Sequence, residues 1–116
     1  MDSTFANPIF TFANTTGARI EDSPGGIAVQ SNGDIVVIGT HSTQSQSGTA
    51  ILNGLARFTS SGAFDTTFGT NGVVSNAVPS GTQGLDAVAL QSNGDILTAG
   101  IANSYTALTV SRYLGN

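Results

Sequence analysis

The chain has 116 residues, 39% hydrophobic and only 9% charged, with seven acids against three arginines, no lysine and no cysteine. A net charge of −4 offers no cationic surface to gather phosphates, which argues against nucleic acid as a partner. No apolar run approaches the ~20 residues of a spanning helix, and the absence of cysteine excludes disulfide frameworks, thiol catalysis and zinc–thiolate centres.

Asp2-Ser3-Thr4-Phe5 opens the chain, and Ile9-Phe10-Thr11-Phe12 reads as a strand. No basic-then-apolar segment precedes them, so any secretory signal has been removed or was never there. Arg19, Glu21 and Asp22 read as a solvated loop; neighbouring acids on an extended chain point to opposite faces and form no acid–base pair. Residues 26–30 and 34–39 are β-rich runs around Ser31-Asn32-Gly33. Asn-Gly between such runs predicts a hairpin with a type I′ turn, which needs positive φ at both central residues. His41 opens a polar loop that runs to Gly48, and a third strand covers about 50–58. Thr59-Ser60-Ser61-Gly62 turns the chain, Asp65-Thr66-Thr67-Phe68 follows, and a fourth strand lies near Gly72-Val73-Val74-Ser75. The succession then recurs: 87–91 and 95–100 flank Ser92-Asn93-Gly94, and a third strand covers about 106–113. No stretch carries the 3.6-residue period of a capped helix, so the class is all-β.

The recurrence is a true repeat. Residues 27–39 match 88–100 at an offset of 61, Leu55-Ala56-Arg57-Phe58 matches Val110-Ser111-Arg112-Tyr113 at 55, and Asp2-Ser3-Thr4-Phe5 matches Asp65-Thr66-Thr67-Phe68 at 63. The unit is near 58 residues and occurs twice. Glycine-punctuated four-stranded units of this size are the mark of propeller blades. The stretch Leu55–Gly72, with its Ser-Gly turn and Asp-x-x-Phe, and the phrase Ala89-Leu90-Gln91-Ser92-Asn93-Gly94-Asp95-Ile96 resemble the delta-60 repeat of bacterial β-propellers. That family usually reads Pro-Asp-Gly-Lys at the turn, where this chain has Ser-Asn-Gly-Asp. The resemblance implies a propeller fold and carries no defined activity.

On this reading residues 1–23 are an outer strand with its connection, 24–83 the first blade, and 84–116 the three inner strands of a second. The outer strand of one blade leads into the inner strand of the next, so residues 8–12 would complete the second blade of a neighbouring copy. Ile9, Phe10 and Phe12 then form the assembly seam. Two blades cannot close a ring, since propellers typically have about four to eight. Head-to-tail donation closes one, or makes an open fibre if the rotation does not suit. A homotrimer of six blades is favoured over a tetramer.

Residues that recur in both copies serve a scaffold; those that occur once are candidates for a site. Arg57 and Arg112 recur, each preceding an Asp-x-x-Phe, with Asp65 and Phe68 for the first and Asp2 and Phe5 of a neighbour for the second. Each set reads as an arginine–carboxylate pin over a buried phenylalanine. Asp34 and Asp95 read as hairpin support, because a calcium site needs more oxygen ligands. Among the single occurrences, His41, Gln44, Gln46, Asn103 and Tyr105 are candidate ligand contacts, although His41 has no acidic or thiol partner nearby in sequence. No Ser-His-Asp order, nucleophile elbow or phosphate loop is present. The expected function is therefore a non-enzymatic oligomeric propeller, without cofactor or metal, serving as a structural or interaction scaffold. Its polar, lysine-free composition favours a secreted bacterial setting. The alternative is a lectin that binds glycans between blades, with Tyr105 as its free aromatic.

Overall fold

The computed structural model describes residues 1–12, 19–46, 48–75, 82–102 and 105–115. Among them are seven strands: β1 (Arg19–Val29), β2 (Ile35–Ser45), β3 (Gly48–Phe58), β4 (Val73–Ser75), β5 (Thr82–Leu90), β6 (Ile96–Ala102) and β7 (Ala107–Tyr113). They form two antiparallel meanders, one ordered β1-β2-β3-β4 and the other β5-β6-β7. Each meander is one copy of the repeat.

The hairpin turns differ from expectation. Gly33 N donates to Gln30 O (2.9 Å) and Gln30 N to Asp34 O (2.8 Å), and Gly33, at φ 91°, has a positive φ where Asn32 does not. This is a three-residue loop, a type I turn followed by a left-handed glycine, in place of the two-residue I′ turn. The second copy repeats it, with Gly94 N to Gln91 O at 2.9 Å and Gly94 at φ 91°. Asn32 stays at negative φ because its side chain is occupied locally: Asp34 N donates to its Oδ1 at 3.0 Å.

Strands of the first copy also run further than expected. Arg19, Glu21 and Asp22 belong to β1, and the loop predicted from His41 is the paired continuation of β2 and β3. Polar residues extend the ladder because its energy lies in backbone hydrogen bonds, which any side chain permits.

The sheets stack face to face. Val36, Ile38 and Leu55 of the first sheet meet Leu85 and Ile96 of the second, all buried with Phe68, while Val88, Leu90 and Tyr113 border them. At the inner strands the backbones nearly touch: a Cβ on Gly25, in the bulge between Pro24 and Gly26, would run into the Leu85 carbonyl. The other face of the first sheet carries a second cluster of Phe12, Ala56 and Phe58, bordered by Phe10, Ile35, Val37 and Phe64.

Residues 1–12 build that second cluster and form no strand in the single chain. Their backbone is held outside any ladder, Ala6 N donating to Ser61 O (2.8 Å) and Phe12 O accepting from Ser75 Oγ (2.6 Å). The Phe12 ring rests on Gly39 and Gly54, where side chains would collide with it. Phe10 packs edge-on against Phe12, Phe58 and Phe64, with centroids 5.3, 5.1 and 5.8 Å away. Ile9 is fully exposed.

Candidate functional site

Two polar clusters stand out, one repeated and one not. The repeated one is the arginine pin. Arg57 lies on the core side of β3, where alternation with Ala56 and Phe58 turns it toward the second sheet. Its Nε and Nη2 both donate to Asp65 Oδ2 at 2.7 Å, and its guanidinium stacks over the Phe68 ring, 4.5 Å from the centroid. Nη1 donates to the Gly115 carbonyl of the second copy. Asp65 Oδ1 is held by Thr67, through N (3.0 Å) and Oγ1 (2.6 Å). The Thr67 hydroxyl, followed by its amide and the Arg57 guanidinium, holds the Asp65 carboxyl below its ordinary range against the opposing effect of burial. All three guanidinium nitrogens are thus engaged within the chain.

Asp2 has the first half of this pin and lacks the second. Its Oδ1 accepts from Thr4 N (2.8 Å) and Thr4 Oγ1 (2.7 Å), matching Asp65 with Thr67, and those two bonds lower its carboxyl in the same way. Phe5 packs on Gly62. Arg112 is exposed on β7 and has no ion-pair partner among the described residues.

The non-repeated cluster joins Thr11, Asp22 and His41. Asp22 and His41 are directly paired across β1 and β2. His41 Nδ1 lies 3.0 Å from Asp22 Oδ1 and 3.3 Å from Thr11 Oγ1, and its side chain is 1% exposed. The acidic partner absent from the local sequence is thus supplied across the ladder. The hairpin register finds it: Val29 faces Ile35, the Gly25 bulge shifts the count by one, and the ladder arrives at Asp22 opposite His41. In a hydrolytic triad the carboxylate and the hydroxyl occupy different imidazole nitrogens. Here both lie on Nδ1 of a buried imidazole, so the group ties Thr11 to the first sheet. Among the described residues no three His, Cys, Asp or Glu side chains converge on a metal position.

The remaining candidates are dispersed. Gln44 and Gln46 are exposed at the β2–β3 hairpin; Tyr105, at φ 70°, is exposed at the β6–β7 hairpin of the other sheet. Asn103 lies outside the described residues. Asp34 and Asp95 cap their hairpins, each accepting from the asparagine two residues before (2.8 and 3.0 Å).

Gln30 was not singled out by sequence, although it belongs to the repeated Gln-Ser-Asn-Gly-Asp phrase. It is buried, and its Nε2 donates to Gly94 O (2.9 Å) and Gly115 O (3.3 Å), fastening the first sheet to the second. Its counterpart Gln91 is exposed. No family model, curated protein or solved structure matches this chain.

Proposed function

We propose that the chain is a non-enzymatic β-propeller module of two blades that acts as a structural or interaction scaffold, assembling head to tail with copies of itself. The observation that carries this reading is the connectivity. Each repeat is a meander starting from an inner strand, and β4, outermost in the first sheet, leads to β5, which returns to pack on β1. That is how consecutive propeller blades are joined. Gln30 and Arg57, which recur in both repeats, also support it, because in the first copy each bonds across to the second sheet's end of the chain.

Three copies would make a six-bladed ring. Light scattering on the 116-residue chain should then give about 35 kDa, three times 11.7 kDa; a monomer at every concentration overturns the reading. The lectin alternative draws support only from Tyr105, whose exposed ring stands beside a shallow cleft with Ile101 and Leu108. Binding on a glycan array that is lost with Tyr105→Ala would put it first.

A further inference from the structure

Each sheet has two apolar faces, and the stack uses a different one from each. The first sheet presents Val36, Ile38 and Leu55, whose repeat counterparts Leu97, Ala99 and Val110 lie on the far face of the second sheet. The second presents Val88, Leu90, Ile96 and Tyr113, whose counterparts Ile27, Val29, Ile35 and Phe58 lie on the far face of the first. Val110 is 73% exposed, and Ile27 and Val29 are 67% and 61% exposed. The far face of the second sheet, and the Ile27–Val29 part of the first sheet's far face that Phe10 and Phe12 leave open, are therefore the two halves of a contact the molecule already makes once.

We infer that a second copy of this chain docks its Leu97–Ala99–Val110 face on the Ile27–Ile35–Phe58 face of the first, repeating the internal stack, with the Arg112 of the docking copy closing on Asp2 of the receiving one. Four observations point to a second copy as the occupant. A cavity of about 340 Å³ lies on the receiving face, lined by Phe5, Phe10, Ile27, Ile35, Val37 and Phe58 among others. The counterparts of Phe5, Ile27, Ile35 and Phe58 are Phe68, Val88, Ile96 and Tyr113, which pack around Val36, Ile38 and Leu55. Side-chain sizes compensate: Ala99 stands where Ile38 does, and the receiving cavity holds the Phe10 ring, whose counterpart Val73 lies on the side of the first sheet away from the internal stack. The acceptor for Arg112 is already assembled: Arg57 takes Asp65 and the Gly115 carbonyl, whose counterparts are Asp2 and the Ser60 carbonyl, and the single chain bonds residues 1–12 to the adjacent Ser61. Finally, exposed Gln91 of the docking copy stands ready for Gly33 O of the receiving one, as buried Gln30 serves Gly94 O.

The inner end of the seam cannot be a copy of the internal one. Asp86 occupies the position of Gly25, and its side chain prevents the backbone approach that Gly25 allows. The two kinds of seam alternate, giving a ring the symmetry of the chain and not of the blade.

The inference rests on the assembly proposed above, and charge reversal separates the two. Asp2 and Arg112 are exposed in the single chain, so Asp2→Arg, Arg112→Asp and the double variant should all fold, as circular dichroism would check. In sedimentation or native mass spectrometry each single variant should raise the dissociation concentration of the assembly about tenfold or more per seam. The double variant, in which every seam regains opposite charges, should recover much of that loss. Val110→Asp, which leaves the pin intact, should dissociate the assembly without rescue. An assembly that forms normally in all three charge variants and in Val110→Asp overturns this seam and leaves the scaffold reading standing. A wild-type chain that stays monomeric overturns both.

Discussion

The two sheets descend from one sequence unit and end in different environments. Leu55-Ala56-Arg57-Phe58 of β3 is buried at every position, whereas Val110-Ser111-Arg112-Tyr113 of β7 alternates between half-buried and exposed. Arg57 is locked to Asp65 and Phe68; Arg112 reaches into solvent. Alternation places a residue on a face, but what covers that face decides its burial. The first sheet has the second on one side and Phe10 with Phe12 on the other; among the described residues the second is covered on one side only.

The largest test of this contrast is Phe12→Ala. The ring lies on two glycines that have no side chains with which to fill its place, so the cost should approach the upper range for buried aromatics, about 3–5 kcal/mol in urea unfolding. Leu108→Ala on the uncovered face, where the residue is 83% exposed, should change the stability of the dissociated chain by no more than about 0.5 kcal/mol. Equal costs would mean that the second sheet is covered in the isolated chain as well.

The arginines sharpen the comparison at the level of one residue. Arg57→Ala should destabilise the chain by roughly 1–3 kcal/mol, since it leaves Asp65, with a side chain only 12% exposed, without its cation. Arg112→Ala should lie within about 0.5 kcal/mol under dissociating conditions. A drop in melting temperature of similar size for both would place a hidden partner on Arg112.

A smaller effect follows from Asp65. Its carboxyl titrates below the ordinary 3.8 in the folded chain, chiefly through the Thr67 hydroxyl, so its contribution is fully present above the unfolded value and lost as pH falls through the folded one. Stability should therefore decline below about pH 4, and Asp65→Asn should flatten that limb of the curve. Asp2 has the same Thr bonds but is solvent-exposed, so Asp2→Asn should change the acid limb less.

Much of the architecture was legible. The offsets of the repeat located two equivalent sheets, and short glycine-bounded β runs placed their strands. The limits of β2 and β3 were not legible, because His41 to Ser45 carries the polar residues of a loop while its backbone completes a ladder. The Asp22–His41 pair was hidden for the same reason: it requires the ladder to run beyond the apolar core and through a bulge. Gln30 was visible as a repeated letter, yet only its burial at the junction of the sheets shows its work.

Sequence by itself determined what depends on local chemistry: the all-β class, the repeat, the hairpin positions, and the Asp-x-Thr units that form alike in Asp2 and Asp65. The tertiary structure decided what depends on neighbours distant in the chain. It laid Phe10 and Phe12 on the first sheet, where Gly39 and Gly54 leave room for a ring, and among the described residues it gave Arg57 an ion-pair partner while leaving Arg112 without one. Identical letters met different surroundings, because burial and pairing belong to surfaces brought together by folding and are not properties of a residue and its nearest neighbours.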